Sequence, residues 1–209
     1  PLKTCRREQL NLRKKVNLTN QLNEDEISTI AGFDVAYSTK EYDRSCVACV
    51  VIDYKSKNIV ETKTLFQQTK FPYIPTYLTF RETPLIKQIY TMLNKKPSVL
   101  MFDGNGILHP YKFGLASHAG VLLNKPSIGI AKSLLCGKKQ VNDYITYEDE
   151  ILGKALYAHD NVKKPVYVSP GNLVSLSISY KIASNLSRYK HPKPIRQAHI
   201  LATKTMKAK

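Results

Sequence analysis

The 209-residue chain reads as an α/β protein built on one mixed sheet, and three features of the sequence say so. Three strand-length apolar stretches follow one another over short links, which implies an antiparallel meander. Strand and helix patterns then alternate, the mark of β-α units with helices covering both sheet faces. Apolar residues make up 43% of the chain without a long polar tract, enough for a shared core.

The meander comes first. ISTIAGFDVAYS (27–38) sets β-branched and apolar residues around one carboxylate, as a central strand does. CVACVVIDY (46–54) is a continuous apolar run, and IVETKTLFQQ (59–68) alternates after a Lys-Ser-Lys-Asn turn. Pro84 then predicts a helix opening after Thr83, with Leu85, Ile86, Ile89 and Leu93 on one face and Asn-Lys-Lys-Pro closing it. SVLMFDG (98–104) is a buried strand ending in a glycine turn, FGLASHAGVLLN (113–124) a helix and PSIGIAK (126–132) a strand. PVYVS (165–169) reads as one more strand. NLVSLSISYKIASNLS (172–187) alternates in part, but its length and Asn172 as a cap favour a helix. A basic helix over about 6–26 precedes all of this. Continuity predicts a single domain over 1–209, with the basic segment 188–209 lying over it as a tail whose end is about 203–209.

Charge points to a partner. Lys and Arg number 32 against 16 Asp and Glu, for a net charge of +16. After Asp160 there is no acid and ten Lys or Arg, while residues 62–142 hold eleven Lys or Arg and only Glu82 and Asp103 as acids. Such a surface attracts polyanions through counterion release, and nucleic acid is the commonest one. A membrane partner is not expected, because no apolar run approaches the roughly 18–20 residues a span needs. The N-terminus lacks a secretory apolar core, and four cysteines require no disulfide framework, so the chain is expected inside a cell, in the cytoplasm or a nucleus. Cys46 and Cys49 form a lone CxxC on a strand, where three-residue spacing sends the side chains to opposite faces; they read as core thiols.

The few acids occupy telling places. Asp34 sits mid-strand, where a lone ionised carboxylate is costly unless paired or metal-bound. Asp103 ends a strand at its carboxyl end, where open α/β sheets build their sites. Glu82 stands at the foot of a helix. Converging, the three make a hard-oxygen site for Mg²⁺ and, with the basic surface, suit metal-assisted phosphodiester cleavage. Taken apart, they are a core ion pair, a strand end and a helix cap. Ahead of them, PYIP pins Tyr73 and Ile74 between Pro72 and Pro75 in what reads as a stiff, protruding hairpin tip, either a plain loop or a probe.

PYIPTYLTFRE, VLMFDGNGILHP, GLASHAGVLLNKPSIGIAKS and VYVSPGNLVSLSISY, in this order, closely resemble the endonuclease V family, the deoxyinosine 3′-endonucleases. The resemblance runs from about Ala31 to about Ala202 and implies a ribonuclease H-like fold. It also implies Mg²⁺-dependent hydrolysis, with Mn²⁺ as a substitute, at the second phosphodiester 3′ of a deaminated adenine in DNA or RNA; separately, a monomer is expected. Carried over by motif, Asp34 and Asp103 look like the metal-binding pair and Glu82 like a further ligand. His199 in PIRQAHILA matches a position where members carry His or Asp, and Lys132 looks like the contact to the scissile phosphate. The Pro72–Pro75 tip is similar to the family's strand-separating wedge. Everting a base costs a few kcal/mol, and a rigid Tyr73-Ile74 tip would fill the gap left in the stack. The everted hypoxanthine is then expected against main-chain groups of glycine-rich turns, including Asp103-Gly104-Asn105-Gly106, with Leu78 and Ile107 as walls.

One residue departs from the family pattern: Asn105 stands where members commonly have His, which removes any imidazole role there, whereas His109 is retained. The resemblance leaves the basic stretch after Ala202 uncovered. His118 reads as a packed or solvent-facing helix residue, and His159 and His191 carry no visible chemistry. Two competing readings are a structure-specific nuclease of the same fold without inosine preference, and a non-catalytic nucleic-acid binding module. The second is at odds with an intact carboxylate set.

Overall fold

A computed structural model describes residues 2–19, 22–38, 44–158 and 163–208. Its centre is a nine-stranded sheet ordered β3-β2-β1-β4-β5-β9-β8-β7-β6. The meander is β1 (Thr29–Tyr37), β2 (Arg44–Asp53) and β3 (Ile59–Gln68), antiparallel throughout. β4 (Val99–Asp103) then joins the other side of β1 in parallel, and β5 (Ser127–Ala131) joins β4 in parallel. β9 (Val166–Asn172) pairs antiparallel with β5. This is the ribonuclease H-like arrangement that the sequence implies.

Helices cover both faces. α2 (Leu78–Thr91) and α3 (Leu115–Leu123) bury Leu85, Ile86, Ile89, Leu115 and Ala119 against the odd residues of β1, Ala31 and Phe33. α4 (Leu176–Leu186) and α5 (Lys193–Lys207) bury Ile182, Leu186, Ile195 and Ala198 against the even side, from Ile30. The period of two along β1 thus sends Phe33 into one core and Asp34 toward α5. Asp34 is the polar step in an otherwise apolar strand.

Several boundaries differ from the sequence reading. The N-terminal helix α1 spans Leu2–Arg13 rather than 6–26. Asn17 ends any continuation, because its Oδ1 accepts from the Thr19 amide and hydroxyl in a local turn that competes with helix. Among the described residues up to 26, the one further helical element is a 3₁₀ turn at Glu24–Glu26. α2 starts at Leu78, so Pro84 lies inside it rather than opening it, and Glu82 is in the helix body rather than at its foot. α4 is capped by Ser175, whose Oγ accepts from the Ile178 amide, while Asn172 belongs to β9. The basic segment 188–209 is no loose tail. Its residues 193–207 are α5, with Pro194, Ile195, Ala198 and Ala202 buried.

The hairpins β6 (Lys138–Lys139), β7 (Tyr144–Tyr147) and β8 (Glu150–Leu156) were not anticipated. β7 and β8 are joined by Glu148 and Asp149, both at positive φ (50° and 60°), without the Asn-Gly or Asp-Gly pair that advertises such a turn. Cys46 and Cys49 are buried thiols outside any disulfide, with Cys49 packed in the α2–α3 core.

Candidate active site

The parallel register of β1 and β4 creates the site. Ile30 pairs with Val99, Gly32 with Met101 and Phe33 with Phe102, so the next step sets Asp34 beside Asp103, on strands about 4.8 Å apart. Both carboxylates sit where β1 and β4 run out of the core.

α5 brings the third group. At Gly32 a β-carbon would lie 2.4 Å from the Pro194 carbonyl carbon, so only glycine lets the start of α5 rest directly on β1. Five residues on, His199 reaches Asp34, with Nδ1 and Oδ2 2.7 Å apart. Ligand atoms of Asp34, Asp103 and His199 all lie within 4.8 Å of one another. Lys132, one residue past β5, donates through Nζ to Asp103 Oδ2.

Glu82 approaches from α2 on the opposite face and lines the same groove, of about 810 Å³, although it stands outside the three-residue cluster. Tyr37 at the end of β1 donates its hydroxyl to Glu82 Oε1 at 2.9 Å. Sequence reasoning missed Tyr37; the signal was an odd-numbered tyrosine three residues past Asp34, facing α2.

The electrostatics of this corner are those of a site short of positive charge. Burial, together with repulsion from Asp103, raises the Asp34 carboxyl above its usual range despite His199. Burial raises Glu82 to about 8, with the Tyr37 hydrogen bond opposing and both aspartates adding repulsion. Hard oxygen donors crowded against their mutual repulsion, with one imidazole, match what a divalent cation such as Mg²⁺ or Mn²⁺ binds.

Beside the carboxylates lies a second cavity of about 310 Å³. Tyr73, Leu78, Asp103 and Lys132 border both spaces. Pro75, Gly104, Asn105 and His109 also line the smaller one. Tyr73 is 66% exposed at its mouth. Within PYIP, Pro72, Tyr73 and Pro75 are exposed while Ile74 is half-buried, and the segment is the β3–α2 connection and not a hairpin tip.

Two expectations for the pocket fail. Ile107 is no wall: it is buried with Leu108, Ile145, Leu152 and Ala155 in a separate core. Of the main-chain groups expected to read a base, the two glycine amides are already committed, Gly104 to Ile130 O and Gly106 to Ser169 Oγ. A β-carbon at Gly106 would lie 2.1 Å from the Pro170 oxygen, so this glycine serves close packing of the turn on β9. Asn105 Oδ1 is buried without a partner. His109 is buried, accepts from the Tyr111 amide at Nδ1, and is held near 4 by desolvation and by the Arg6 charge. His118 is packed between Phe80 and Phe113, away from the cluster. His159 lies outside the described residues.

The family model for Endonuclease V matches residues 10–200. The chain belongs to the endonuclease V family. Endonuclease V of Methanothrix thermoacetophila is 41% identical over 188 residues, covering 86% of this chain and 82% of that protein. The crystal structure of Bacillus subtilis endonuclease V matches with a TM-score of 0.89 at 34% identity, over 100% of this chain and 95% of that one. Ciona intestinalis endonuclease V matches with a TM-score of 0.93 at 29% identity, over 99% and 98% of the two chains. That structure holds a 24-mer DNA containing an inosine followed by a ribo-adenosine. Membership makes this chain a nuclease of the endonuclease V type. Among the described residues no helix is long and apolar enough to cross a membrane.

Proposed function

We propose that this endonuclease V-type nuclease is a Mg²⁺-dependent monomer that hydrolyses the second phosphodiester 3′ of an everted hypoxanthine, in DNA or in inosine-containing RNA. The observation that carries the reading is the convergence of Asp34, Asp103 and His199 beside a base-sized cavity whose mouth holds the exposed Tyr73.

Asp34, Asp103 and His199 would hold the cation, with Glu82 one step behind them and reached through water. The bound metal supplies Lewis-acid stabilisation of phosphate charge and lowers the pKa of water at the site. Lys132, which donates to Asp103 at the edge of the groove, would present its ammonium to the scissile phosphate. Tyr73, stiffened by Pro72 and Pro75 and backed by Ile74, stacks in the gap the base leaves. Leu78 and the Gly104–Asn105 turn form walls for the base, and His109, neutral through burial and bonded to the Tyr111 amide and the Thr76 backbone, completes the wall without a competing charge. Tyr37 fixes the Glu82 carboxylate by its hydrogen bond.

The test is nicking of one inosine-containing oligonucleotide, as DNA and as RNA, with Mg²⁺, with chelator, and with Asp34→Asn and Asp103→Asn. Cutting at the second 3′ bond that chelator and both substitutions abolish supports the reading. Undiminished cutting by either variant contradicts the assigned roles, and equal cutting of inosine-free strands removes the lesion preference.

A further inference from the structure

We propose that Arg6 and Gln9 of α1 are positioning residues for base recognition, a clamp that fixes the Pro75–Tyr77 turn and the opposite wall of the base cavity relative to each other. The proposal rests on the functional reading above and adds a part of the chain to which that reading gives no role.

Gln9 is the one buried residue among those described in α1, at 0% exposure in an otherwise solvent-facing basic helix. Its amide is fully used. Nε2 donates to Phe113 O at 2.9 Å and to Thr76 O at 3.3 Å, and Oε1 accepts from Arg6 Nη1. Thr76 belongs to the turn after the Tyr73 tip, and Phe113 leads into Gly114 and Leu115 on the far side of the cavity. One side chain therefore ties both walls, 67 and 104 residues away in sequence.

Arg6 completes the hold. Its Nη2 donates to Thr76 Oγ1 at 2.8 Å, and its guanidinium lies 4.3 Å from the Tyr77 ring centre and 3.3 Å from that of Tyr111. A planar fork can bond on two edges while rings cover its faces; an ammonium cannot. The need for such a hold is local. Thr76 has φ of 70°, a left-handed conformation that a β-branched residue adopts only under outside constraint. A turn with its own preference for this shape would carry Gly or Asn there. Beside the His109 bond to the Thr76 backbone, the constraint comes from α1, and releasing it lets Pro75–Tyr77 relax, moving Tyr73 and Leu78 on either side of it.

Gln9→Ala and Arg6→Lys would be compared with wild type for cleavage of an inosine oligonucleotide and of the same strand with adenosine at that position. KM and kcat, thermal unfolding and Mn²⁺ affinity by calorimetric titration are measured alongside. Gln9→Ala should raise KM for the inosine strand about tenfold, as expected for losing three hydrogen bonds, two of them to the cavity walls, with kcat changed less than about twofold. Its preference for inosine over adenosine should fall by a similar factor while Mn²⁺ affinity holds. Arg6→Lys keeps the charge and helix propensity, and should show the same pattern at about threefold. It remains informative if Gln9→Ala fails to fold.

Unchanged inosine preference in the folded variants overturns the proposal. So does a parallel loss of kcat and Mn²⁺ affinity, which would make α1 a general structural support. A wild-type protein that cuts both strands alike overturns instead the functional reading, and the clamp's role in recognition falls with it.

Discussion

His118 gives a prediction whose size follows from the structure. Its ring is 3% exposed, edge-on to Phe80 at 5.4 Å and tilted against Phe113 at 5.3 Å, with Nδ1 buried and unpartnered. Burial lowers its pKa from 6.5 to about 4. The folded state thus resists a proton that the unfolded chain accepts, so stability present above pH 6.5 is lost as pH falls toward 4. Between pH 7 and pH 5 the linkage integral for this shift is about 2 kcal/mol.

His118→Phe keeps an aromatic ring in the same slot and removes the titration. Urea unfolding of both proteins at pH 7 and pH 5 should show the variant losing about 2 kcal/mol less than wild type on acidification. Comparing the two proteins cancels the raised carboxylates Asp34 and Glu82, which act in the opposite sense: acid relieves their repulsion and burial cost. An identical loss in both proteins would show that the His118 slot admits water or a charged partner, and would refute the burial reasoning. Because this ring bridges α2 and the segment entering α3, acid should also loosen the helix that presents Leu78 and Glu82.

Gly32→Ala should push α5 off β1, since the added carbon meets Pro194 backbone at 2.4–2.6 Å; a loss of about 1–3 kcal/mol in unfolding free energy and weaker Mn²⁺ binding are expected. Wild-type stability and affinity in that variant would mean that α5 does not depend on this contact to place His199. Tyr73→Ala should weaken binding to inosine-containing duplex by about 1–3 kcal/mol while leaving single strands nearly unaffected, as measured by fluorescence anisotropy. Equal weakening on both substrates would exclude gap filling by this ring.

The sequence by itself determined the meander, the β-α units that follow, and the places of Asp34 within one strand and Asp103 at the end of another, because strand periodicity and apolar runs are local properties. The motif resemblance added His199, an ordinary residue of a basic stretch when seen alone. Tertiary structure decided what depends on register and packing. Asp34 meets Asp103 because β1 and β4 pair in parallel at one register, and His199 arrives because Gly32 lets a helix starting 161 residues later touch the strand. Glu82 entered the helix body, and Ile107 left the pocket, for the same reason: each side chain followed the core its element buries, and that core is assembled from segments far apart in the chain. Gln9 shows this most plainly. Nothing in LKTCRREQLNLR marks one glutamine for burial until Thr76 and Phe113 are brought to it.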